Sequence, residues 1–177
     1  MKRTHQIGLG IAGLLALLSW GIAIYYWGKL PDVIPTHFAW NGLPDAWNGK
    51  SLWYVLLLPI VQILITALMT FLYYKPQYSD MPTTMWLTTL EPSKRDHAFD
   101  LIRTMLVGTS LWIGLIMTYL TLTLNLAAFP ETLDNAGYIT VNPIIILGLV
   151  SGMILWLIWW TAKVYRATRD AIKELKE

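Results

Sequence analysis

The chain has 177 residues, of which 55% are hydrophobic and 14% are charged, and it contains ten tryptophans. Its formal net charge of +2 is too small to predict a nucleic-acid partner. Because the sequence contains no cysteine, disulfides, thiolate nucleophiles and cysteine-ligated metals are excluded.

The charged residues are confined to a few segments of the chain. The windows that contain no Asp, Glu, Lys or Arg are 6–28, 51–74, 104–130 and 135–162. Each window is longer than the stretch of about 20 residues that a helix needs to cross a hydrocarbon core. We therefore predict an all-α integral membrane protein, a single domain built as a bundle of four transmembrane helices. The predicted spans are about 6–28, 51–74, 104–130 and 139–162.

The first predicted span follows a short basic head at residues 1–5, as a secretory signal peptide would. We predict that this span is retained, because its apolar run is too long for a signal peptide and ends in an aromatic cluster at 25–27, which is typical of a membrane interface. Gly8, Ala12 and Ala16 recur every four residues, which predicts a face that packs closely against another helix.

Residues 29–50 form a polar loop that retains aromatic side chains, and this combination predicts an ordered cap rather than a flexible tether. The Asn41-Gly42 pair is a strong hairpin signal, because a type I′ turn needs positive φ at both central residues. We predict short strands at 36–40 and 43–47 on either side of this turn. A second Asn-Gly pair, at 48–49, is expected to turn the chain back towards the membrane.

The polar groups of this loop that are capable of chemistry are His37, Asp45, Lys50 and Asp32. No spacing typical of a metal site surrounds His37, and neither a nucleophile nor an oxyanion site accompanies it. We therefore predict no enzymatic activity, no cofactor and no metal. Two interpretations stay open: a scaffold, in which Asp45 caps a turn or pairs with His37 or Lys50, and a ligand site. The candidate ligand-binding residues are His37, Phe38, Trp40, Asp45, Trp47 and Lys50.

Two amides lie inside predicted spans, Gln62 in the second and Asn125 in the third. Each needs a hydrogen-bond partner within the bundle, because lipid offers none. These two residues are the candidate intramembrane polar site. They are either satisfied packing contacts or the lining of a polar cavity.

Helix signals also occur around the last two spans. Ser93 begins an S-x-x-D pattern, which predicts that the third helix starts near this residue and runs continuously into the membrane. Asn142-Pro143 is expected to open the fourth helix, and the spacing of Gly148 and Gly152 predicts close packing against a neighbour. The tail, 163–177, is predicted to continue as a charged helix near lipid headgroups or in solvent.

The distribution of lysines and arginines predicts the orientation, since positively charged loops stay in the cytoplasm. Of the 13 lysines and arginines, all but Lys29 and Lys50 lie in the N-terminal head, the 75–103 connection or the 163–177 tail. We predict that both termini and the 75–103 loop are cytoplasmic and that the 29–50 loop is extracytoplasmic.

The outer loop contains a recognisable set of residues, Leu30-Pro31, Ile34-Pro35-Thr36-His37-Phe38, Gly42, Pro44-Asp45, Trp47 and Lys50. This set resembles the signature of the domain of unknown function 1648 family, whose members are bacterial and archaeal integral membrane proteins. The resemblance implies a multi-pass protein of a prokaryotic plasma membrane. It also links the chain distantly to SdpI-type immunity proteins, which protect a cell from a membrane-active peptide toxin and sequester a cytosolic repressor.

That resemblance implies a peptide toxin as partner on the outer face and a cytosolic regulator as partner at the 75–103 loop or the tail. We therefore expect a membrane protein that gives immunity to a membrane-active peptide or signals through its outward loop. The alternative is a small transporter or channel component, in which Gln62 and Asn125 face one polar cavity within the bundle.

Overall fold

The structure is a computed structural model that describes residues 2–78, 92–129 and 142–173. It contains four long helices, α1 at Arg3–Trp27, α2 at Leu52–Tyr74, α3 at Pro92–Leu126 and α4 at Pro143–Lys173. Each of them is long and apolar enough to cross a membrane, so the predicted number of candidate spans is confirmed for the part of the chain that the structure describes. The predicted elements within 79–91, 130–141 and 174–177 lie outside the described residues.

Helix α3 is the centre of the bundle, because it packs against each of the other three helices. In the most apolar stretch of α3, 56% of the residues are buried, against 6% in α4. Helix α4 packs mainly against α3 and leaves most of its surface exposed. A membrane-embedded helix needs no further cover, since lipid tails are as apolar as its side chains.

The small-residue face of α1 is buried, as predicted, at Gly8, Ala12 and Ala16. A Cβ atom added at Gly8 would overlap the side chain of Val107, so glycine at this position lets α1 approach α3 closely. The same buried face of α1 also carries two polar residues, His5 and Ser19.

The seam between α3 and α4 is made by two reciprocal pairs of glycine and tryptophan. The ring of Trp156 lies against Gly108, where a Cβ atom would overlap it. In the other direction, a Cβ added at Gly152 would come within 2.8 Å of Trp112. No atom lies within 4 Å of a Cβ added at Gly148, so only one of the two predicted glycines contributes close packing.

The predicted N-terminal capping residue is confirmed for α4 but not for α3. Helix α3 begins at Pro92, so Ser93 lies inside the first turn instead of capping it. The helix then continues for 35 residues without interruption, as predicted. Helix α4 opens as expected, because the side-chain oxygen of Asn142 accepts a hydrogen bond from the Ile144 backbone N–H at 3.0 Å and Pro143 takes the first helical position.

Between α1 and α2 the chain forms an antiparallel hairpin of strands β1, Val33–Phe38, and β2, Pro44–Gly49. The prediction of a type I′ turn at Asn41-Gly42 was wrong. The backbone N–H of Ala39 donates to the carbonyl of Leu43, which leaves a three-residue loop with Gly42 at φ 79°. This loop is stabilised by the Asn41 side chain, whose oxygen accepts from the Leu43 N–H at 3.0 Å.

The second turn prediction was also wrong, because Asn48 and Gly49 lie in β2 and pair with β1. The Asn48 side chain donates to the hydroxyl oxygen of Thr36 across the ladder at 2.9 Å. The pairing continues past the strand end, where the Lys50 N–H donates to the carbonyl of Asp32 at 2.7 Å. Cross-strand bonds therefore override the local turn preference of an Asn-Gly pair.

Candidate functional site

The hairpin is anchored to the bundle by an apolar cluster at its base. Leu30 and Ile34, from the hairpin side, pack with Ala23 of α1, Val55 of α2 and Ala128 just beyond α3. All five side chains are buried. This cluster fixes the hairpin over one end of three helices, which we call the hairpin end.

A cavity of about 180 Å³, the hairpin cavity, lies between β1 and the facing turns of α2 and α3. Its lining is mainly apolar and includes Phe38 and Leu58. Its lining residues with a polar side-chain group are Thr36, Tyr54, Thr121 and Asn125. The amide nitrogen of Asn125 donates to the Thr121 carbonyl at 2.7 Å, whereas its side-chain oxygen has no hydrogen-bond partner among the described residues. The cavity therefore combines a mainly apolar wall with a few polar side chains.

A second cavity of about 320 Å³, the tip cavity, lies between the hairpin loop and the first turns of α4. It is lined by Ala39 and Trp40 on the hairpin side and by Pro143 and Ile146 on the helix side. Phe38 lines both cavities. The two cavities therefore adjoin at this ring.

Two of the predicted site residues form a hydrogen-bonded pair on the exposed surface of the hairpin. The Nδ1 atom of His37 and the Oδ1 atom of Asp45 are 2.5 Å apart, with side chains 69% and 46% exposed. Neither residue lines the hairpin cavity or the tip cavity. No group of three or more His, Asp or Glu residues suitable for a metal ion occurs in the described ranges.

The remaining predicted residues take separate positions. Lys50 donates from Nζ to the Leu30 carbonyl at 3.1 Å and lies 4.6 Å from the centroid of the Trp27 ring, so it holds the base of the hairpin to α1. Trp40 is 87% exposed at the tip, and Trp47 is exposed on β2. The structure therefore brings Phe38 and Trp40 to cavities, pairs His37 with Asp45, and leaves Trp47 apart.

Gln62 is fully buried at the centre of the bundle and connects three helices. Its side-chain oxygen accepts from the Ser19 hydroxyl of α1 at 2.5 Å. Its nitrogen donates to the Gly114 carbonyl and the Thr118 hydroxyl of α3, both at 3.3 Å. The Thr118 hydroxyl in turn donates to the carbonyl of Leu15 at 3.2 Å. Every polar group of the Gln62 side chain is thus satisfied, and Gln62 does not line the hairpin cavity with Asn125.

The hairpin, Gln62 and four of the five residues of the anchoring cluster, all but Ala128, fall within one stretch of chain that is recognisable by comparison. Residues 14–63 match the family model described as Domain of unknown function (DUF1648). This match confirms the resemblance drawn from the outer loop. Neither a curated protein nor a solved structure matches the chain.

The DUF1648 match therefore covers the later part of α1, the whole hairpin and the first half of α2. It includes Ser19 and Gln62, two of the three side chains in the central network. The hairpin and the contact that joins its two flanking helices thus belong to the same family segment.

A second polar cluster, at the other end of the bundle, lies outside the DUF1648 match and was missed by sequence reasoning. Its buried members are His5 of α1 and Tyr73 of α2, which are 5% and 1% exposed. Asp100, Arg103 and Thr104 of α3 complete it. One signal was present: His5 lies on the same helical face as Gly8 and Ala12, which the small-residue spacing had already marked as a packing face.

Proposed function

We propose that this protein is a non-enzymatic membrane receptor that recognises an apolar segment of a membrane-active peptide at its hairpin end and thereby gives immunity or signals. The observation that carries the proposal is the hairpin cavity, a mainly apolar space with the polar side chain of Asn125 in its wall. A pocket of this character suits an apolar side chain together with one peptide N–H.

The surroundings of the cavity support a peptide ligand. The tip cavity adjoins it through Phe38, and the almost fully exposed Trp40 stands at its rim. Exposed aromatic side chains beside a pocket are typical of surfaces that bind peptides, because they bury a large area with little loss of conformational freedom. Two adjacent spaces also match successive apolar side chains of one peptide.

In this proposal, helix α3 transmits the effect of peptide binding in the hairpin cavity to a cytosolic regulator at the other end of the bundle. It contributes Thr121 and Asn125 to the hairpin cavity and runs for 35 residues, roughly 50 Å, to Pro92 at the other end. Pro92 lies within the 75–103 connection, and the positive-inside pattern assigns that connection to the cytoplasm. In this proposal the protein lies in a prokaryotic plasma membrane with both termini inside.

The alternative function, a small transporter or channel component, requires Gln62 and Asn125 to face one polar cavity. Gln62 is fully buried with all its polar groups hydrogen-bonded, and Asn125 lines a separate space beneath the hairpin. The arrangement of these two residues favours the receptor over the transporter.

The test uses cells that express the protein and are challenged with a panel of membrane-active peptides. Ala128 is 2% exposed and lines the hairpin cavity, so Ala128→Phe fills it. Leu122→Phe is the matched control, since Leu122 lies six residues before Ala128 near the end of α3, is 37% exposed and does not line the cavity. We expect wild type and Leu122→Phe to protect against at least one peptide, and Ala128→Phe to lose that protection.

Asn125→Leu gives a second variant that does not depend on tolerance of a larger ring. Among the described residues the Asn125 side chain bonds to Thr121 of its own helix, so this substitution removes a polar group from the cavity wall without breaking a described bond between two helices. We expect partial loss of protection at unchanged expression. Killing curves that are the same with and without the wild-type protein for every peptide, or full protection by Ala128→Phe, would overturn the proposal.

A further inference from the structure

At the end of the bundle opposite the hairpin, a cleft of about 420 Å³ opens between the start of α1, the end of α2 and the start of α3. We call it the basic cleft. Unlike the two cavities at the hairpin end, it is lined mainly by polar and charged side chains. They are Lys2, His5, Tyr73, Tyr74, Asp100 and Arg103.

The floor of the basic cleft is a chain of hydrogen bonds that crosses all three helices. The Thr104 hydroxyl donates to the Asp100 carbonyl at 2.9 Å, so its oxygen accepts from His5 Nε2 at 3.0 Å. His5 Nδ1 then accepts from the Tyr73 hydroxyl at 3.4 Å. Because each polar group already has its partner, the floor is a fixed support and leaves ligand binding to the charged rim.

The charges at the rim do not cancel. Lys2 and Asp100 form an ion pair, with Nζ and Oδ2 2.5 Å apart. Arg103 donates from Nε to the Tyr73 carbonyl at 3.2 Å, and in the described part of the chain it has no carboxylate partner. Its two terminal nitrogens are therefore available in a half-buried position, where a guanidinium favours a bidentate anionic partner.

The start of α1 adds to this preference for an anion. Its first turn contains no acidic residue, and its N-cap, Lys2, makes no side-chain capping bond. The partial positive charge of the helix N-terminus therefore adds to the positive side of the cleft. Arg103 and the helix terminus both favour negative charge there, and the Lys2 ammonium, although paired with Asp100, has two further N–H groups to donate.

A separate apolar groove lies further along two of the same helices, α1 and α2. It has a volume of about 650 Å³ and is lined by small and aliphatic residues, among them Gly10, Gly13 and Leu17 of α1 and Ile63 and Ala67 of α2. Antiparallel packing of the two helices places these residues one to several turns beyond His5 and Tyr73. The α1–α2 groove thus lies between the level of the basic cleft and the middle of the two helices.

We propose that the basic cleft and the α1–α2 groove together bind one anionic phospholipid. Arg103 and Lys2 hold its phosphate, and an acyl chain lies along the groove against Gly13 and Leu17. Basic pockets between membrane helices are known to take lipid headgroups on the cytoplasmic side, the side to which the Lys and Arg distribution assigns this end. The groove favours a lipid over a free phosphate compound, because only a lipid fills both spaces.

The test measures binding to the purified protein in neutral detergent by native mass spectrometry, with phosphatidylglycerol, phosphatidylcholine and inorganic phosphate as separate probes. We expect wild type to bind one phosphatidylglycerol about tenfold more tightly than phosphatidylcholine. Arg103→Gln should weaken phosphatidylglycerol binding about tenfold or more, as expected for loss of charge-assisted hydrogen bonds. Arg95→Gln is the matched control, because Arg95 lies on α3 outside the cleft and pairs with Asp96.

A third variant distinguishes the two sources of phosphate. No atom lies within 4 Å of a Cβ added at Gly13, so Gly13→Leu is tolerated by the fold while it obstructs the groove. We expect it to weaken phosphatidylglycerol binding and to leave inorganic phosphate unaffected. Inorganic phosphate that binds as tightly as the lipid, with no effect of Gly13→Leu, would overturn the lipid and assign the cleft to a soluble phosphate compound.

Because Arg103 also bonds to the Tyr73 carbonyl, Arg103→Lys serves as a second variant if Arg103→Gln does not fold. It retains the charge and loses the bidentate geometry, so we expect intermediate binding of phosphatidylglycerol, with Arg95→Lys as its control. Equal affinity of wild type for phosphatidylglycerol and phosphatidylcholine, or unchanged lipid binding in both Arg103 variants, would overturn the anion site.

Discussion

The two ends of the bundle are held together in different ways. At the hairpin end the polar contacts join residues close in sequence, and the pair His37–Asp45, eight residues apart, is exposed. At the opposite end the contacts join residues that are distant in sequence. His5 bonds to Thr104, 99 residues away, and to Tyr73, 68 residues away. Both His5 and Tyr73 are buried. The central network of Ser19, Gln62 and Thr118 is of the second kind.

This difference separates polar groups that hold helices from polar groups that are free to bind. A buried hydrogen bond between helices has no water to replace it, so its loss leaves a donor or acceptor unsatisfied. An exposed ion pair exchanges its contacts with water at little cost. We therefore expect substitutions in the buried networks to lower stability, and substitutions of the hairpin pair to leave it nearly unchanged.

The largest loss of stability is expected for Gln62→Ala. This change leaves a cavity between three helices and removes the acceptor of the Ser19 hydroxyl, which we expect to cost about 2–3 kcal/mol in free energy of unfolding. Unfolding by titration with denaturing detergent in mixed micelles measures it. Leu64→Ala, at a position 63% exposed on the same helix, is the control and should cost much less. Equal effects of the two substitutions would mean that the central network contributes nothing specific.

A smaller loss is expected for Tyr73→Phe, which removes only the hydroxyl that donates to His5 Nδ1. The expected cost is about 0.5–1.5 kcal/mol, the usual contribution of one hydrogen bond. Tyr74→Phe, at a neighbouring ring that is 56% exposed, is the matched control and should be neutral. The same unfolding titration applies. A neutral Tyr73→Phe would indicate that the floor of the basic cleft is held by packing of the ring rather than by its hydroxyl.

Sequence reasoning succeeded for the features that depend on nearby residues or on hydropathy alone. Four uncharged windows identified the four candidate spans, and the 29–50 loop was correctly predicted to contain a hairpin. The predictions of its two turns were wrong. The Asn41 side chain stabilises a three-residue loop instead of a type I′ turn, and Asn48 and Gly49 pair with β1 instead of forming a second turn. The turn propensity of an Asn-Gly pair does not determine the structure where cross-strand hydrogen bonds stabilise an extended backbone instead.

The basic cleft and the hairpin cavity could not be predicted from the sequence, because both depend on which helices are neighbours and on which face each helix turns towards the others. Hydropathy shows that a segment is apolar and gives no information on which face meets which helix. Arg103 was counted only as a positive charge, although its position beside Tyr73 is what leaves its terminal nitrogens available. Only the face of α1 shared by His5, Gly8 and Ala12 offered a usable pattern.

The smallest effect is expected at the hairpin pair. His37→Gln and Asp45→Asn should each change the free energy of unfolding by no more than about 0–1 kcal/mol, and a double-mutant cycle should give a coupling in the same range, because both side chains are exposed. The detergent titration used for Gln62→Ala measures all four proteins of the cycle. A coupling as large as the cost of Gln62→Ala would mean that this pair holds the hairpin over its cavity, and the two ends would then be stabilised alike. A negligible coupling leaves His37 and Asp45 as polar groups on the hairpin that the fold does not need, and loss of peptide protection in either variant would then report on binding directly.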